Sequence, residues 1–152
     1  MSALKILCDL ELERLKANHP NFPSHLIPTP KFSDKTANGL TKCIVNFINM
    51  RGGMAERIGN AGRYLQGETH TNVIGISRTF KGKYIPGTGT NGTADISATI
   101  NGRSVKIEVK IGRDRMSQNQ IEYKSRTEAA GGLYFVAKDF ESFYLWHQQV
   151  FK

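Results

Sequence analysis

The segment DISATINGRSVKIEVK, Asp95 to Lys110, reads as two β-strands folded back on a two-residue turn. Asn101-Gly102 is the strongest short-range signal for a tight hairpin, because both positions tolerate the positive φ that such a turn requires. With Ile100 opposite Arg103, Ile96 falls opposite Ile107 and Ala98 opposite Val105, which makes one face apolar. The other face carries Ser97 opposite Lys106, Thr99 opposite Ser104, and Asp95 opposite Glu108. A one-residue slip would turn every apolar side chain to the wrong face, so the register is well specified.

Opposed carboxylates are unfavourable in a hairpin, where directly facing Cβ atoms lie about 4.5–5.5 Å apart. A local conflict inside an otherwise consistent strand pair marks a candidate functional site. A divalent cation would remove the repulsion. Magnesium, with manganese as a substitute, suits it by binding through one or two carboxylates while keeping waters and reaching phosphate oxygens. Lys110 follows Glu108 by two residues and so shares its face, where an ammonium can stabilise charge developing on a phosphate. The purely structural alternative is a solvated polar face with Lys106 and Lys110 flanking Glu108.

Working outward, Ser117 opens a helix with Gln120 three residues on, a capping-box pattern, and Gly131-Gly132 closes it. Leu133 to Ala137 reads as a buried strand, and Asp139 caps a final helix bearing Phe140, Phe143, Tyr144, Trp146 and Val150. Upstream, candidate strands are Ala55–Ile58 and Val73–Ser77, followed by the basic stretch Arg78 to Tyr84. The glycine-rich run Gly87 to Thr93 lacks the Gly-Lys-Ser/Thr ending of a phosphate-binding P-loop and reads as a flexible turn. A helix is expected from about Leu40 to Asn49, with Ile44, Phe47 and Ile48 on one face. Four of the five prolines lie between His19 and Asp34, which predicts an extended connection. The first helix, Ala3 to Lys16, spaces Leu4, Leu7, Leu12 and Leu15 at helical intervals. The chain thus divides into an N-terminal helix with a proline-rich extension (1–35) and a main domain (36–152).

A chain of 152 residues with 39% hydrophobic and 22% charged residues can bury a real core and is not disordered. No apolar run approaches a membrane span, and the N-terminal stretch lacks the pattern of a signal peptide, so a cytoplasmic protein with no membrane partner is expected. Two cysteines, Cys8 and Cys43, and four histidines without ligand spacing speak against a disulfide framework or zinc. The net charge is +8, and thirteen Lys/Arg against six Asp/Glu between Arg51 and Arg126 account for +7 of it. Nucleic acid is the commonest partner of such a surface.

The motifs Gly92-Thr93-Ala94-Asp95, Glu108-Val109-Lys110, Ser117 to Gln120 and Ala130-Gly131-Gly132 together resemble the PD-(D/E)XK nuclease superfamily. More narrowly they are similar to its VRR-NUC group, which occurs alone in phages and fused to larger nucleases. The resemblance covers about Leu40 to Phe143. It implies an α/β fold, a restriction-endonuclease-like mixed β-sheet flanked by helices. It further implies Asp95 and Glu108 as metal ligands helped by the Val109 carbonyl, Lys110 as the catalytic lysine, and Gln120 near the site at its helix start. Gln120 also has the simpler reading of a capping-box partner, and the two are compatible. Ala94 stands where the group often has proline. The group usually carries a further acid on the helix before the sheet. Here that start reads Thr36-Ala37-Asn38-Gly39, and Asn38 is a poor charged ligand. Glu56 is a candidate replacement, though it could equally pair with Arg57 or Arg63.

The expected activity is therefore magnesium-dependent DNA cleavage by an endonuclease, structure-selective on branched DNA such as a Holliday junction, in a bacterial or phage-infected cell. A restriction-type site-specific endonuclease is the rival within enzymes. A nucleic-acid-binding protein that does not cleave is the rival outside them. Arg78, Lys81, Lys83, Arg113 and Arg115 are expected to contact phosphates, and a homodimer would supply the paired sites that a four-way junction needs.

Overall fold

The computed structural model describes residues 2–59, 63–85 and 90–152. Its helices in chain order are α1 (Ala3–Asn18), α2 (Ala37–Met50), α3 (Gln118–Ala129) and α4 (Phe140–Val150). Its strands are β1 (Met54–Arg57), β2 (Arg63–Leu65), β3 (Thr69–Thr71), β4 (Ser77–Thr79), β5 (Lys83–Ile85), β6 (Ile96–Ile100), β7 (Arg103–Val109) and β8 (Leu133–Ala137). The arrangement is mixed α/β. One four-stranded sheet runs β1-β6-β7-β8, antiparallel except for the parallel β7–β8 pair, and the other strands form two small two-stranded sheets.

The β6–β7 hairpin has the register read from its sequence, Ile96 with Ile107 through Ile100 with Arg103. Asn101 (φ 48°) and Gly102 (φ 75°) supply the two positive φ angles of its turn. Alternation along β7 then sorts the side chains. Val105, Ile107 and Val109 are buried among α1, α2 and α4, whereas Lys106, Glu108 and Lys110 face the α3 side. Phe47 of α2 lies at the centre of the core, edge-on to Phe140, Phe143 and Tyr144. The N-terminal helix shares this core: Ala3 and Leu7 are fully buried, and the Ala3 N–H donates to Glu141 Oε2 (2.8 Å). The proline-rich connection holds one 3-10 turn, Ser24–Leu26, and is tied down where the Phe140 N–H donates to Asp34 Oδ2 (3.0 Å).

Several boundaries move, each for a local reason. Helix α2 starts a turn before Leu40, because the Thr36 hydroxyl caps it by accepting the Gly39 N–H. Strand β1 covers Met54–Arg57 instead of Ala55–Ile58, although the Ile58 N–H still donates to the Asp95 carbonyl (2.7 Å). Strands β6 and β7 each stop one residue short of the expected Asp95 and Lys110, and the Lys110 N–H continues the ladder to the Ala137 carbonyl (2.9 Å).

The expected strand Val73–Ser77 is wrong. Val73, Ile74 and Gly75 form the turn between β3 and β4, and the basic stretch beyond is divided between β4 and β5. Asn72 overrides the β-propensity of its neighbours: its Oδ1 accepts the N–H groups of Ile74 (3.1 Å) and Ile76 (2.9 Å). Of the glycine-rich run, residues 87–89 lie outside the described residues. Thr90 and Thr93 close a turn there (3.1 Å). Among the described residues no helix is long and apolar enough to cross a membrane.

Candidate functional site

The site lies on the α3 side of β7. Glu108 is 1% exposed and Lys110 8%, unusual burial for charged side chains. Asp95, just ahead of β6, is only half-buried. Its Oδ2 accepts the Val109 N–H (2.9 Å), so the carboxylate occupies the ladder position where β6 has not yet begun. Both acids therefore converge at the same end of the hairpin, as the register requires.

Helix α3 closes over them. Its capping box is complete: the Ser117 N–H donates to Gln120 Oε1 (2.9 Å), and the Gln120 N–H donates to Ser117 Oγ (3.4 Å). The first of these bonds fixes the orientation of the Gln120 amide. With Oε1 committed to the cap, Nε2 is left to donate to Glu108 Oε1. Gly92 sets the fit between this helix start and the turn leading to Asp95. Its φ is +81°, and a Cβ there would collide with the Asn119 carbonyl and lie 2.8 Å from the Gln120 nitrogen.

Lys110 Nζ stands 3.1 Å from Glu108 Oε1 and 3.5 Å from Asp114 Oδ2. Two donors thus converge on one Glu108 oxygen. The other, Oε2, is buried and has no hydrogen-bond partner among the described residues. Burial raises the Glu108 pKa above its ordinary value, and the Asp95 charge adds to the shift against the pull of Lys110. Burial alone would lower the Lys110 pKa, but Glu108 and Asp114 outweigh it and hold the ammonium charged. Negative charge is in excess here, with one cation among three carboxylates.

A buried carboxylate oxygen without a hydrogen bond of good geometry, close enough to Asp95 to feel its charge, fits a divalent cation, although the Tyr134 hydroxyl also stands beside the Glu108 carboxylate. Asp95 and Glu108 would be its protein ligands through side chains, in the mode where magnesium takes one or two carboxylates and retains water. Among the described residues no group of three or more His, Cys, Asp or Glu is placed to hold a metal ion.

Of the residues singled out in the sequence, Asp95, Glu108, Val109, Lys110 and Gln120 come together. Glu56 lies on β1 in register with Ser97, on the Asp95 face of the sheet, and its side chain is exposed. Asn38 is exposed in the first turn of α2. Lys106 does not flank Glu108 as an ion-pair partner and donates instead to Ser97 Oγ (2.5 Å). Arg113 and Arg115 are exposed on the loop between β7 and α3, while Arg78, Lys81 and Lys83 lie on the small strands and their connection.

The sequence reading missed two residues. Asp114 is the second partner of Lys110. Tyr134 on β8 pairs in register with Lys106 and so shares the Glu108 face. Its phenol oxygen is buried with no hydrogen-bond partner among the described residues. Burial first, then the charges of Glu108 and Asp95, and least a loose hydrogen-bonding contact with the Glu108 carboxylate, raise its pKa well beyond the ordinary phenol value and keep the hydroxyl protonated. Its ring meets Tyr123 of α3 edge-on (6.4 Å). Asp114, four residues past Lys110, was legible in principle. Tyr134 depends on the β7–β8 register, which no turn sequence encodes.

A scan against models of known protein families finds no match to this chain, and a search of curated proteins finds none either.

Proposed function

We propose that this protein is a magnesium-dependent DNA endonuclease, a restriction-endonuclease-like α/β domain with the PD-(D/E)XK pattern of the VRR-NUC group. The observation that carries the reading is Glu108 Oε2, a buried carboxylate oxygen without a hydrogen bond of good geometry among the described residues, on the same face as Asp95 and beside a buried, charged Lys110. A binding surface gains nothing from that arrangement, which costs stability until a cation is present.

Asp95 and Glu108, helped by the Val109 carbonyl, would hold the cation, which when bound supplies Lewis-acid polarisation of a phosphoryl oxygen and a more acidic water. Lys110, kept charged by Glu108 and Asp114, offers its ammonium to the negative charge that grows on the scissile phosphate. Gln120 holds the Glu108 carboxylate in one orientation from the rigid start of α3. The Tyr134 hydroxyl is a neutral donor on the same face.

Selectivity for branched DNA and action as a homodimer belong to the same proposal. The test is a cleavage panel of single-stranded, duplex, flapped and four-way DNA with magnesium, manganese or EDTA. Cutting is expected only with metal and most strongly on the four-way junction. Asp95→Ala, Glu108→Ala and Lys110→Ala should each lower the rate by roughly 10²-fold or more. Wild-type rates from Lys110→Ala overturn the site. Binding without cutting under any metal leaves a non-cleaving nucleic-acid-binding protein.

A further inference from the structure

Between β1 and β6 the chain leaves the sheet and builds an arm, β2 paired with β5 and β3 paired with β4. Every residue from Tyr64 to Lys81 is exposed, so this segment contributes nothing to the core. Its tip is a three-residue turn closed by Asn72: the Gly75 N–H donates to the Asn72 carbonyl (2.9 Å), and the Asn72 N–H donates to the Ile76 carbonyl (3.0 Å). Gly75 takes φ +81°, as the last residue of the turn does in this class of hairpin. The turn holds Val73 fully exposed and Ile74 80% exposed, with Ile76 beside them. Hairpin turns favour Gly, Asn, Asp, Ser and Pro, and a cluster of three exposed apolar side chains at one tip marks a candidate contact surface.

We propose that this arm lies along a groove of double-stranded DNA and that Val73 and Ile74 enter between adjacent base pairs as a wedge. The nucleic-acid reading of the protein is its premise. Charge selects the partner: residues 63–85 carry Arg63, Arg78, Lys81 and Lys83 against the single acid Glu68, which stands 3.3 Å from His70. Two such arms repel each other, which disfavours a second copy of the chain as occupant. Behind the tip, one face carries the hydroxyl rungs Thr71–Ser77 (2.7 Å) and Thr69–Thr79 (3.0 Å), and the other carries the cross-strand pair His70 and Arg78. These groups suit phosphate and sugar; Leu65, Phe80 and Tyr84 are also exposed farther down the arm, so a lipid surface is separated from DNA by the vesicle measurement below. A two-stranded ribbon fits a DNA groove, and apolar wedges on such elements unstack a base step. Pyrimidine–purine steps open most easily, so the wedge should favour TA and CA/TG steps.

The test uses the full chain in EDTA, so that the DNA stays intact, and a duplex carrying 2-aminopurine at TA steps. Wild-type protein should raise the fluorescence at least twofold as the base unstacks. The double variant V73S/I74S should abolish the rise while keeping low-salt affinity within about fivefold, because the cations remain. V73L/I74L should restore it, and circular dichroism confirms that each variant is folded. No rise with wild type, or an equal rise with V73S/I74S, overturns the wedge. So does a change of mass by light scattering, or a loss of binding to phosphatidylglycerol vesicles, as the only effect of V73S/I74S. Cleavage without a fluorescence rise sinks the wedge alone, and a rise without metal-dependent cleavage sinks the nuclease reading alone.

Discussion

Gln120 makes both of the contacts that its sequence position allowed together, one to the helix cap and one to Glu108. As the third residue of the capping box it secures the start of α3, and the same bond aims its amide nitrogen at Glu108. Gln120→Ala should therefore cost about 1 kcal/mol of stability, or roughly 2–4 °C in Tm at this chain length, and also slow cleavage. Gln120→Glu keeps an acceptor for the Ser117 N–H but sets another carboxylate against buried Glu108, so in EDTA its Tm should fall further than that of Gln120→Ala, and cleavage should fall as well. Thermal melts and single-turnover rates on both variants check this order. Glu108→Gln makes the opposite trade: it removes a buried charge that faces Asp95, and should raise Tm by a few degrees in EDTA while ending cleavage. An unchanged or lowered Tm would mean that Lys110 already compensates the charge. At this scale the site was largely legible, because Asp95, Glu108 and Lys110 are placed on one face by a local turn and the alternation of the strands it joins. Tyr134 was not legible, because only a pairing distant in sequence places it there.

The hairpin and the arm show where reading elements from sequence succeeds and where it stops. Strands β6 and β7 are joined by Asn101-Gly102, and turn chemistry plus alternation fix every rung. In the arm, Val73, Ile74 and Ile76 look like a strand by composition, but the Asn72 side chain makes them a turn. Strand propensity describes a half-buried pleated surface, and this segment is exposed on all sides. Because the arm is solvated, Lys81→Ala with Lys83→Ala should leave Tm within about 2 °C yet weaken binding to all DNA sequences. The slope of log affinity against log salt should flatten by about 0.9 for each phosphate that is no longer neutralised. Fluorescence-anisotropy titrations at several salt concentrations measure it, and an unchanged slope would place both lysines on an ordinary solvated surface.

At the scale of the molecule, α1, α2 and α4 pack into one core, with His147 of α4 buried against Phe47 (5.1 Å between rings). Burial, and secondarily the Arg51 charge, lower the His147 pKa. The unfolded chain binds this proton from about pH 6.5 downward, whereas the folded one resists it. Stability from His147 is thus complete above pH 6.5 and declines as pH falls toward the depressed folded value. Urea melts at pH 7.5 and pH 5.5 should show a drop for wild type that His147→Leu reduces. An equal drop in both would assign the acid sensitivity to other groups. Cys43, buried in the same core, has its thiol pushed up to about 11 chiefly by burial, and should resist alkylation until the protein unfolds.

The arm also has a consequence for how this scaffold can vary. It departs after Ile58 and returns ahead of the turn that leads through Gly92 to Asp95; the Ile58 N–H donates to the Asp95 carbonyl (2.7 Å), next to the Arg57–Ile96 rung of the β1–β6 pair. The excursion begins and ends close to one rung, so its length is nearly decoupled from the sheet. Doubling a flexible loop adds only about 0.6 kcal/mol of closure entropy. Descendants of this chain can lengthen, shorten or replace the segment that meets their target while inheriting the same carboxylates, ammonium and core.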